Sequence, residues 1–115
     1  MGDEERLGLI EFYDDSSAIS VPDTVDAGAN FEVAFYTFGG GCISRGDTRV
    51  EVTRNTAVVT PTDMHADGPC TLELQYLDHT TTVRLQVPGS GTVIVSGRSE
   101  PDDRSVQRVF TVFVR

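Results

Sequence analysis

The sequence has no lysine and no tryptophan, only two histidines and two cysteines, and no apolar run long enough to cross a membrane as a helix. Without lysine, the basic side chains are nine arginines set against 18 carboxylates, for a net charge of -9. That balance excludes a nucleic-acid backbone as partner, since such binding needs a concentrated basic patch that releases counterions. Anionic membrane surfaces are disfavoured on the same ground. Two histidines, His65 and His79, leave little for imidazole-rich metal sites or general-base chemistry. The polar start, Met1 to Arg6, lacks the basic-then-apolar pattern of a signal peptide. Residues 1–6 are expected to be unstructured, or an addition to a mature exported chain.

Also missing is any 3.6-residue apolar stripe; the period is two almost throughout. Phe31, Val33 and Phe35 alternate with Glu32, Ala34 and Tyr36, as on a strand with one buried face. Gly39-Gly40-Gly41 ends that strand. Thr48 to Arg54 is expected to form another, with Val50 and Val52 inward, and Thr56 to Thr60 a further one closed by Pro61. Thr62 to Pro69 reads as a polar loop. Thr71 to Leu77 places Leu72, Leu74 and Tyr76 inward, and Thr81 to Val87 does the same for Val83, Leu85 and Val87. Asp78-His79 between them is either a turn or a bulge in one long strand. Short strands also fall at Leu7 to Tyr13, Ala18 to Val21, Thr92 to Ser96 and Val106 to Val114, with Pro88 to Gly91 a turn. The 115 residues fit one domain. Seven to nine strands at this spacing predict an all-β sandwich.

The run Val21 to Val33, in which a short strand turns through Pro22 and Gly28 into an alternating one, resembles the entry to the second strand of bacterial immunoglobulin-like domains. Pro88 to Gly97 resembles their penultimate hairpin. The resemblance implies a Greek-key sandwich of antiparallel strands, of the kind borne by secreted proteins and lipoproteins as spacers, adhesion units or binding appendages. Two departures limit it: no tryptophan packs a core disulfide, and no tyrosine corner is present.

Cys42 and Cys70 border polar loops and lack nearby histidine or cysteine co-ligands, which predicts a disulfide rather than a metal pair. A disulfide places the protein outside a reducing cytoplasm. Arg45-Gly46-Asp47 spells an adhesion tripeptide close to Cys42, although the expected reading is a turn leading into the strand at Thr48, with Gly46 at positive φ. Asp63, His65 and Asp67 alternate as ligands would, yet neither calcium nor zinc finds a complete set there, nor at Asp14-Asp15 or Glu100 to Asp103. Solvated loops are expected at all three, with no metal and no cofactor. No nucleophile, base and orienting acid can be assigned, and no enzyme is expected.

The last strand carries Phe110, Val112 and Val114 on one face but also Val109 and Phe113 on the other, and Ile94 repeats this beside it. Either Leu7 to Phe12 folds over that second face, or Ile94, Val109 and Phe113 meet another subunit or domain. The expectation is a non-enzymatic extracytoplasmic binding or structural module with a protein partner or a second copy. The alternatives are a self-assembling fibre subunit and an adhesion ligand using Arg45 to Asp47.

Overall fold

A computed structural model describes residues 4–71 and 73–115, and among these the alternating pattern forms strands and no helix. In chain order they are β1 (Glu4–Leu7), β2 (Leu9–Phe12), β3 (Asp15–Ser16), β4 (Thr24–Val25), β5 (Asn30–Gly39), β6 (Ile43–Thr53), β7 (Thr56–His65), β8 (Gln75–Arg84), β9 (Gly89–Glu100) and β10 (Arg104–Val114). β5 and β8 pair antiparallel as one sheet. The other eight form the second, in which β6, β7, β9, β10 and β4 lie side by side.

The inward residues of both sheets share one core. Val33 and Phe35 from β5 and Val83 from β8, with Leu85 just beyond it, face Ala57, Val59, Val93, Val95, Val112 and Val114. Each such side chain contributes about 1.5–3 kcal/mol by leaving water, so the alternation itself fixes which face of every strand turns inward.

The expectation of uniformly antiparallel strands is corrected. β7 and β9 are parallel, as are β2 and β9, and β4 and β10. The second of these pairs is made by the N-terminus. β9 pairs with β7 only over Thr92 to Val95, and the chain start fills the gap where the two strands diverge. β1 pairs with the far half of β7, and β2 then pairs with the far half of β9. Gly8 is the crossing point, its N–H donating to Pro61 O and its carbonyl accepting from Arg98 N. A side chain at Gly97 would place its Cβ 2.7 Å from Ile10, so glycine there is what lets β2 seat against β9. Residues 4–6, read as an unstructured start, are therefore part of the sheet. Leu7 to Phe12 lies within the sheet instead of folding over its outer face.

Further expectations change. Pro61 does not end its strand: β7 continues to His65, with Pro61 placed where its neighbour changes from β9 to β1 and opposite an irregularity in β6 between Arg45 and Thr48. A residue without an N–H is tolerated at such a site. Asp78-His79 is no turn, because β8 runs through it, and Leu74 and Tyr76 are exposed rather than inward; Leu72 lies outside the described residues. Val52 and Val87 are exposed as well, whereas Val50 packs against the core. Ala18 to Val21 forms only the single bridge from Ser20 to Ala34.

Candidate functional site

The N-terminal insertion brings Phe12 and Tyr13, at the end of β2, beside the outer face of β5 and β8. Phe12 stacks on Phe38 with ring centroids 5.7 Å apart, and Tyr76 meets Phe38 edge-on at 5.6 Å. Tyr36 lies 4.7 Å from Tyr76, and Tyr13 lies 4.7 Å from Phe12. All three tyrosines of the chain thus join one aromatic ridge. Phe38 is buried at its centre, while Tyr13 and Tyr76 stay 65% and 60% exposed. Tyr13 also holds φ at 55°, a left-handed conformation that costs a non-glycine residue of order 1 kcal/mol and clusters at functional sites.

Beside the ridge runs an open groove of about 310 Å³, lined by Leu9, Phe12, Phe38, Ile43 and Leu74, with Thr71 and Glu73 polar at its rim. The Cys42–Cys70 disulfide forms as expected, its Cα atoms 5.2 Å apart, and it holds the wall that carries Thr71, Glu73 and Leu74. Asp14 and Asp15 follow Tyr13, and Asp78 stands opposite Tyr36 across the strand pair. The groove is therefore apolar inside, and Glu73 is the one carboxylate among its lining residues.

A polar cleft of about 400 Å³ flanks the disulfide, lined by Glu4, Arg6, His65 and Asp67 among others. Burial, and then the guanidinium groups of Arg6 and Arg98, hold the His65 imidazole below its ordinary pKa of 6.5. The folded state thus binds this proton more weakly than the unfolded chain does. Stability tied to His65 is complete above pH 6.5 and is lost as the pH falls through the depressed folded value. The His65→Gln variant is expected to gain on the wild type as the pH falls from 6.5 through that lowered value, and to gain no further below it. Urea titrations at several pH values check this, and a constant difference between the two proteins would refute it.

Asp63, expected in a solvated loop, is buried and bonded to His79, Oδ1 to Nε2 at 3.1 Å. The ring's Nδ1 lies 2.7 Å from Thr48 Oγ1, and Thr37 Oγ1 sits 3.1 Å from Nε2. An ionised carboxylate only accepts, so Nε2 donates to it, and in the neutral ring Nδ1 accepts from the Thr48 hydroxyl. The order of carboxylate, imidazole and hydroxyl is that of a hydrolytic triad. Here, however, the ring is wholly buried, stacked on Phe35 at 5.5 Å and engaged at both nitrogens. The four residues come from β5, β6, β7 and β8, so the network ties the two sheets together.

Arg45, Gly46 and Asp47 lie within β6 rather than on a turn, and Gly46 is not at positive φ. Arg45 Nη1 donates to Asp78 O, and the Thr62 hydroxyl donates to Asp47 O at 2.8 Å. Asp63, His65 and Asp67 do not converge on a cation, and no group of three potential metal ligands exists among the described residues. Of the outer-face trio, Val109 and Phe113 are exposed and Ile94 is half-buried.

Fold and site together define an all-β, two-sheet protein braced by one disulfide, with an exposed aromatic groove beside that disulfide. Compared with models of protein families, with curated proteins and with solved structures, the chain matches none.

Proposed function

We propose that this chain is a non-enzymatic extracytoplasmic binding module that seats an apolar, base-flanked segment of a partner protein in the aromatic groove. The observation that carries this reading is the ridge itself, in which the well-exposed Tyr76 packs on the buried Phe38 and the well-exposed Tyr13 packs on Phe12, which in turn stacks on Phe38. Tyrosine supplies large, rigid contact area at low entropic cost and is enriched at binding hot spots. The apolar lining suits a hydrophobic anchor, and basic neighbours suit the Glu73 carboxylate in that lining, together with Asp14 and Asp15, which follow Tyr13, and Asp78, which pairs with Tyr36 across the strands. The disulfide supports a location outside the reducing cytoplasm.

An immunoglobulin-like kinship is part of the proposal. It is supported by the parallel pairing of β4 with the last strand, by the antiparallel β9 and β10 hairpin, and by the Ser20 to Ala34 bridge onto β5. Against it, β7 rather than β6 lies beside β9, where an immunoglobulin sheet would place the earlier strand of that hairpin.

The test is a titration of the full chain with tetrapeptides of the form Arg-X-X-Arg, X being Leu, Phe or Trp, followed by backbone amide shifts. Shifts are expected at residues 12–13, 38–41 and 73–76, and Tyr76→Ala is expected to weaken binding tenfold or more while leaving the fold intact. Shifts clustered elsewhere, an indifferent Tyr76→Ala, or a response to cellohexaose and to none of the peptides would each reject the reading.

A further inference from the structure

β10 is paired with β9 along its whole length, but β4 covers only Phe113 and Val114 on its other edge. There Phe113 N donates to Asp23 O and Arg115 N to Val25 O, at 2.8 and 2.9 Å. Odd-numbered residues of β10 therefore turn their backbone groups away from β9. The β9 and β10 register is unbroken back to Arg104, so Ser105, Gln107, Val109 and Thr111 also point N–H and C=O outward. Among the described residues, none pairs with these groups.

Open edges in natural sheets are blunted by proline, by bulges or by charged side chains. β10 has neither proline nor bulge, and its outward row of Ser105, Gln107, Val109, Thr111 and Phe113 is uncharged. Val109 and Phe113 are 63% and 56% exposed on that row. Val109 aligns with Ile94 and, one strand further, with Val58, extending an uncharged face across three strands.

We infer that this edge pairs with β10 of a second copy of the chain, antiparallel about a twofold axis at Val109. In that register Val109 meets its own counterpart, Gln107 meets Thr111 on both sides, and about six backbone hydrogen bonds form. Arg108 faces Phe110, so no arginine meets an arginine. Charge selects where a second copy can approach. Two molecules of net charge -9 repel, and among the described residues β10 is the only strand longer than four residues that carries no carboxylate, so the repulsion is least along it. Its Arg108 is already engaged by Glu11 within the same molecule. The other expected pairing element, Leu7 to Phe12, is consumed inside the sheet.

Sedimentation equilibrium of the full chain, from micromolar to submillimolar concentration, tests the inference. A mass rising toward twice that of the monomer is expected, and added salt is expected to strengthen association by screening the repulsion. Val109→Pro deletes only an N–H that the monomer leaves unpaired, so the fold persists and the dimer is lost. If that variant does not fold, Val109→Lys, at an exposed position, carries the test and weakens dimerisation at least tenfold. Thr60→Glu, on the uncharged face but two strands from the edge, leaves the dimer intact. A monomer at every concentration, a dimer that survives Val109→Lys, association that weakens with salt, or loss of the dimer in Thr60→Glu would overturn it. The last outcome would indicate packing face to face instead.

Discussion

Truncating His79 to alanine is expected to cost about 3–5 kcal/mol, enough to unfold much of the population of a domain whose whole stability is of order 5–15 kcal/mol. Two losses combine. The ring fills core space against Phe35, and its removal leaves a cavity. It also orphans the carboxylate of Asp63, which is buried and bonded to Nε2. An uncompensated buried carboxylate is among the most destabilising of single-site defects.

The second loss makes the effect non-additive in a definite direction. Removing Asp63 as well deletes the orphaned charge, so the His79→Ala, Asp63→Ala double variant should be no less stable than His79→Ala alone. Urea unfolding of the wild type, both single variants and the double variant measures this coupling. If the two single losses simply add, the carboxylate is not held by the ring and the proposed tie between the sheets is wrong. The double variant also keeps the question answerable should His79→Ala fail to fold.

The position of His79 was within reach of the sequence, but its partner was not. Leu77, His79, Thr81, Val83 and Leu85 share one parity, and following that phase through Asp78 gives the continuous β8 with its inner face. Starting instead from Leu72, Leu74 and Tyr76 reverses the phase, requires a turn or a bulge at Asp78-His79, and turns inward Leu74 and Tyr76, which are in fact exposed. That single choice concealed the aromatic groove, because Leu74 and Tyr76 belong to its outer surface. Asp63 was hidden differently: Asp-Met-His-Ala-Asp after a proline has the composition of a loop, and only the change of neighbour at Pro61 makes it strand. Alternation did reveal the core, since Val33, Phe35, Val93, Val95, Val112 and Val114 are all inward. The parallel pairings were invisible because periodicity says which face is buried but not which strand is adjacent.

Reduction of the Cys42–Cys70 bond is expected to cost about 3.5 kcal/mol if the chain-entropy account of a loop of about 29 residues holds. Its structural consequence should be local. Ala66 N donates to Cys42 O at 2.8 Å, and β8 begins at Gln75, so both ends of the intervening segment remain held without the disulfide. What is released is the stretch between them, including the groove wall of Thr71, Glu73 and Leu74. In the Cys42→Ser, Cys70→Ser variant, amide exchange should accelerate at 67–71 and 73–74 far more than in β9 and β10, whose pairing the bond does not touch. Binding of the Arg-X-X-Arg peptides should fall in the still-folded fraction too, because an unfixed wall must be ordered at each binding event. An unchanged urea midpoint on reduction would remove the disulfide from the stability of the fold. Exchange that accelerates uniformly would show that the bond supports the whole sandwich and not the groove in particular.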